Sequence, residues 1–177
     1  TELAQNLYSL YQTAASSDWS WFEDVVSYDN ARLPHALIMT GRWANLPALR
    51  EVGLKSLRWL TQHQIAPEGH FRPIGSNGFW KRGEAPAQFD QQPVEASATM
   101  SACFEAYEAT GDDYWLSYAG KAFEWFHGSN DLGLALAIHR GLINRLDLFE
   151  SFFSVIKIAC SSKEHSESKL GWAQGSF

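Results

Sequence analysis

The chain has 177 residues, 45% hydrophobic and 19% charged, which is enough apolar material for one packed domain. Fourteen Lys and Arg stand against twenty Asp and Glu, and the net charge of −6 argues against a nucleic-acid or anionic-membrane partner, since both select basic surfaces. Two cysteines, Cys103 and Cys160, make neither a disulfide framework nor a zinc site, so a reduced, cytoplasmic setting is expected.

No apolar run reaches the length of a membrane span, and no signal peptide is expected at the start. Thr1 rather than Met stands first, as in a processed or subcloned piece. Eight Trp, eleven Phe and six Tyr suit a helical core or a sugar-binding cleft, because both use flat apolar rings.

In chain order, Leu3, Leu7, Leu10, Tyr11 and Ala14 predict one face of a helix over 3–15. A polar and aromatic stretch, 16–29, follows. Asp29 or Asn30 then caps a helix over 31–40 with Pro34 in its first turn and Gly41 at its end. That segment, "ARLPHALIMT", has little polar face and should be buried on most sides. A third helix, 46–64, has Pro47 in its first turn, buries Leu46, Leu49, Leu57 and Leu60, and wets Arg50, Lys55 and Arg58.

After a long loop rich in Gly and Pro, Asp90 caps a fourth helix over 91–109. Thr110-Gly111 closes it and Asp112 opens a fifth, 113–127, ending at Gly128. Beyond Gly128 the period weakens. Asp147–Cys160 reads as a third inner helix or a strand, and 161–177 as a polar, poorly ordered tail.

An internal repeat runs through this pattern. "YDN" at 28–30 parallels "FDQ" at 89–91, and "KSLRW" at 55–59 parallels "KAFEW" at 121–125. Short loops follow the buried helices and long loops follow the amphipathic ones. Antiparallel packing then puts every long loop at one end, beside the N-termini of the buried helices. The expected fold is all-α: a partial (α/α)6 toroid, about half a ring, over 1–160.

The strings "WSWFEDVVSYDNARLPHALI", "GHFRPIGSNGFW", "FDQQPVEASATMSACFEAYEATGD" and "AFEWFHGSND" carry a resemblance. Over 18–131 the chain resembles a bacterial region found C-terminal to group 1 glycosyltransferases. That region is similar to the six-hairpin (α/α) toroids of glycosidases. In the family, a Gly-rich acidic motif and an inner helix opening Gly-Ala-Glu-Ser follow the Asn-Asp motif. Here Asn130-Asp131 runs into "LGLALAIHRGLINRLDLFESFF", as in a truncated or frame-altered chain.

The resemblance implies a carbohydrate-active domain that binds a neutral oligosaccharide and, in an intact ring, hydrolyses it by carboxylate acid–base chemistry. The alternative is a non-catalytic helical module that positions a glycosyltransferase or its glycan product. Glu23, Asp24, Asp90 and Glu95 are the candidate carboxylates, because glycoside hydrolysis uses two that flank the sugar. Glu23 and Asp24 equally suit bracing of their loop, Asp29 and Asp90 suit helix capping, and Glu95 suits pairing with Arg32.

Gln91 and Gln92 can bond sugar hydroxyls or loop carbonyls, and His70 can touch ligand or stabilise its turn. Trp19 and Trp21, with Phe22 and Trp80, are candidates for a stacking platform, whereas Trp59, Trp115 and Trp125 read as core. Asp29 and Arg32 complete the substrate-binding candidates. No metal-ligand spacing, phosphate loop, dinucleotide fingerprint or serine elbow is present, so no cofactor or metal is expected. Half a ring leaves two apolar edges, which predicts a homodimer with Phe149, Phe152, Phe153 and Ile156 at its seam. A glycosyltransferase domain is the further expected partner.

Overall fold

The computed structural model describes residues 2–136. The expected third inner helix, the tail 161–177 and the four seam residues lie outside the described residues. The described part is mostly helical. It comprises α1 (Glu2–Ala14), β1 (Val25–Val26), α2 (Arg32–Trp43), α3 (Pro47–His63), β2 (Trp80–Lys81), α4 (Pro93–Thr110) and α5 (Asp113–Phe126). None of these helices is long and apolar enough to cross a membrane.

Local chemistry sets most boundaries. Pro47 and Pro93 open α3 and α4, where a missing N–H costs no helical bond. Gly111, at φ 69°, ends α4 in the left-handed conformation. Asp112 then caps α5 by accepting from the Tyr114 N–H at 3.0 Å. Two expected caps are corrected. Asp29 (φ 50°) and Asp90 (φ 60°) sit in left-handed turns ahead of their helices. The N-cap positions fall to Ala31 and Gln92, neither of which makes a side-chain capping bond. In each turn the Asp backbone carbonyl is an acceptor, from the Arg32 N–H at 3.1 Å and the Ser76 N–H at 3.1 Å.

Gly41 does not end α2 as expected. The helix continues to Trp43, and Gly41 is where α3 comes closest: a Cβ there would lie 2.5 Å from the Arg50 backbone nitrogen. Gly53 on α3 is the reciprocal point, with the Pro34 carbonyl 2.9 Å from its would-be Cβ. α2 and α3 thus form one tight hairpin, and α4 and α5 a second.

α2 also packs on α4, which joins the hairpins, while α1 leans on α2 and α3. On α2 only Arg32 and Trp43, at its two ends, are exposed, as its unbroken apolar pattern predicts. α4 buries Ala96, Ala98, Ala102 and Ala106, small residues that let neighbours approach. The expected face of α1 is divided. Ala4 and Tyr11 turn inward, whereas Leu3 and Leu10 stand 85% and 51% exposed.

Candidate functional site

The two long loops meet where α2 and α4 begin. β1 pairs antiparallel with β2, Val26 opposite Trp80, which staples the first loop to the second. Glu95 on α4 accepts at Oε2 from the Asn30 side-chain amide at 3.0 Å and from its backbone N–H at 3.3 Å. These bonds place the starts of α2 and α4 side by side.

The loop after α3 doubles back tightly. The Gly69 N–H reaches the Ala66 carbonyl at 2.8 Å, the Ala66 N–H reaches that of His70, and the Arg72 N–H reaches that of Gln64. This turn presents His70 and Arg72 two residues apart on one side, as a short extended segment does. Beyond α5, Asn130 builds a second turn. Its Oδ1 accepts from the Leu132 and Leu134 N–H groups, and its Nδ2 donates to the Trp125 and Leu134 carbonyls. That turn carries Asp131 to the first one.

Asp131 is the centre of the resulting cluster. Its Oδ1 accepts from His70 Nε2 at 2.7 Å and Arg72 Nη2 at 2.7 Å, and Arg72 Nε spans both oxygens at 2.9 and 3.0 Å. Gln91 Nε2 donates to Oδ2 at 2.6 Å, while Gln91 Oε1 accepts from the Trp125 indole at 2.9 Å. Burial pushes the Asp131 carboxyl up, but hydrogen bonds from Arg72, His70 and Gln91 outweigh it and hold the group below its ordinary value. The same bond to Asp131 raises Arg72.

The cluster forms the polar wall of a cleft of about 960 Å³. Phe89, Pro93, Trp125 and Leu132 supply apolar surface, and Glu68 and Asp90 add carboxylates to its lining. Phe89 is 74% exposed.

Of the candidate residues, His70, Asp90 and Gln91 therefore share one cleft. Gln92 stands at its margin in sequence, but its amide donates to the Asp90 carbonyl at 3.2 Å and so serves the loop. Glu95 is sealed under Asn30. Burial raises its carboxyl, and hydrogen bonds from Asn30 and from the Asp29 backbone only partly oppose this. The partner of Arg32 is Asp29, at 3.4 Å, rather than Glu95.

Glu23 and Asp24 are exposed and do not line the cleft. Their backbone carbonyls hold the Trp19 indole at 2.7 Å and the Arg82 N–H at 2.8 Å. The expected stacking platform is corrected. Trp19, Trp21, Phe22 and Trp80 are all buried, and Trp80 stacks on Trp59 at 4.9 Å with the rings 5° from parallel. Rings so packed hold the loops together and leave no face for a ligand.

Sequence reasoning missed Arg72, Asp131 and the cleft-lining role of Trp125. The available signals were Arg72 two positions from His70 and an Asn-Asp pair between Gly128 and Gly133. Among the described residues no group of three or more His, Cys, Asp or Glu side chains is arranged to hold a metal ion. Compared with protein-family models, with curated proteins and with solved structures, the chain matches none.

Proposed function

We propose that the chain is a carbohydrate-binding helical module, and that the cleft around Asp131 receives a neutral oligosaccharide. The observation that carries this reading is the pairing, in one open cleft, of exposed Phe89 with the hydrogen-bonded set His70, Arg72, Gln91 and Asp131. A sugar has an apolar C–H face and a rim of hydroxyls. It needs a ring to stack on and fixed donors and acceptors beside it. A cleft of about 960 Å³ has room for more than one sugar unit.

Binding is preferred to hydrolysis. Glu95 is 1% exposed, and Glu23 and Asp24 lie off the cleft, so these candidates do not flank a bound sugar. On this reading the five described helices, with the expected sixth, are about half of the twelve of an (α/α)6 toroid. Exposed Leu3 and Leu10 favour pairing with a second copy through an open edge. A glycosyltransferase is the natural source of the glycan, in a cytoplasmic setting.

Calorimetric titration with maltotriose, cellotriose and mannotriose tests the proposal. At least one should bind. Phe89→Ala and Gln91→Ala should each weaken that binding about tenfold, the equivalent of 1.4 kcal/mol, with helicity retained. Failure of all three sugars, or binding indifferent to both substitutions, overturns it.

A further inference from the structure

His70 stands between two cavities, the 960 Å³ cleft and a neighbouring one of about 480 Å³ lined also by Lys121 and Glu124. Its side chain is 17% exposed. Nε2 is engaged by Asp131 at 2.7 Å, and among the described residues no hydrogen bond is made to Nδ1.

The partners of Asp131 decide which ring nitrogen carries hydrogen. Arg72 grips both carboxylate oxygens and Gln91 adds a donor to Oδ2. A carboxylate held by so many donors is ionised and only accepts. Nε2 must then be an N–H nitrogen, and whenever the ring is neutral Nδ1 carries the lone pair.

We propose that His70 is a specificity-determining residue of the cleft: Asp131 fixes its Nε2–H tautomer, so that Nδ1 accepts a hydrogen bond from a ligand hydroxyl. Arg72 and the Gln91 side-chain nitrogen already donate to Asp131, and Gln91 Oε1 already accepts from Trp125. Nδ1 adds a neutral acceptor in a fixed position. It selects ligands that present a hydroxyl there and rejects deoxy analogues. Asp131 is a positioning residue, since it acts through His70. This inference rests on the cleft-binding reading above.

Nitrogen-15 NMR of the imidazole rings tests it in the full chain, with maltotriose, cellotriose and mannotriose as probes. Without sugar, at a pH where the ring is neutral, His70 should show hydrogen on Nε2 and none on Nδ1. Asp131→Asn should abolish that preference, an effect that a merely structural ion pair would not require. On adding the sugar that binds, the Nδ1 resonance should move together with the Trp125 indole signal. His70→Gln, whose amide can still donate to Asp131, should preserve the fold and weaken binding about tenfold.

Hydrogen on Nδ1 rather than Nε2 of the neutral ring in the free protein overturns the inference. So does a Trp125 shift without a His70 shift, which leaves the binding reading intact. If neither signal moves with any of the three sugars, both fail together.

Discussion

Glu95 on α4 is locked to Asn30 just ahead of α2: one carboxylate oxygen takes both the side-chain amide and the backbone N–H of Asn30. That oxygen joins the two helices. Burial makes the charged form of Glu95 unfavourable in the fold, because an ionised carboxylate is held out of water and its hydrogen bonds only partly compensate.

Stability should therefore depend on pH through Glu95 with a definite sign. Its folded value lies above the ordinary 4.5, so the folded chain keeps a proton that the unfolded chain has released. This contribution is fully present below about the ordinary value and is lost as pH rises through the raised one. Glu95→Gln, which cannot ionise, should gain on wild type as pH rises, by about 1–3 kcal/mol once wild-type Glu95 is charged. Urea midpoints of the two proteins between pH 4 and 8 check this. A constant difference across that range counts against it.

Asp131 should act in the opposite sense. Its folded value lies below the ordinary 3.8, so its contribution is present above that value and is lost as pH falls through the lowered one. Asp131→Asn removes the ionised partner of Arg72 and His70. The expected loss is about 1–3 kcal/mol at pH 7, shrinking towards zero in acid. Thermal melts from pH 2.5 to 7 would show the two curves converge.

Gly75 and Gly69 lie in the same loop and should respond very differently to alanine. A Cβ at Gly75 would fall 1.8 Å from the Phe89 carbonyl oxygen, so the two strands of the loop must separate. We expect Gly75→Ala to cost about 1–3 kcal/mol or more, as overpacking does, and to disturb Phe89 at the cleft. Gly69 has open space around it and only its φ of 90° to lose, so Gly69→Ala should cost about 1 kcal/mol. Chemical denaturation of both variants measures the contrast.

Cys103 is wholly buried on α4, and burial pushes its thiol far above the ordinary value. Alkylation should reach it only when the protein opens, at least about a thousandfold more slowly than in the unfolded chain. Cys160 lies outside the described residues, so peptide mapping must read the label at Cys103 itself. Rapid labelling of Cys103 in native buffer would contradict its place in the core.

The five helices were legible in the chain because their causes are local. Pro47, Pro93, Gly111 and Asp112 each act within one turn, and the apolar period of α5 is complete within its own length. The alternation of short and long loops likewise marked that the long loops meet where α2 and α4 begin. Periodicity could not fix the rotation of α1. Leu3 with Leu10 and Ala4 with Tyr11 share the same seven-residue spacing, and the seat offered by α2 and α3 takes the second pair.

The cleft was legible only in pieces. His70 and Gln91 stood out by residue type, but Asp131 acquires its role from Arg72, 59 positions away, and Trp125 from Gln91, 34 away. The same distance problem put the aromatic residues on the wrong sides: Trp19, Trp21 and Trp80 close on Trp59, while Phe89 stays in the open. A loop has no repeating pattern to say which way a ring or a carboxylate points. That direction is set by whatever the rest of the fold brings alongside, because a buried charge or indole N–H settles where a partner meets it.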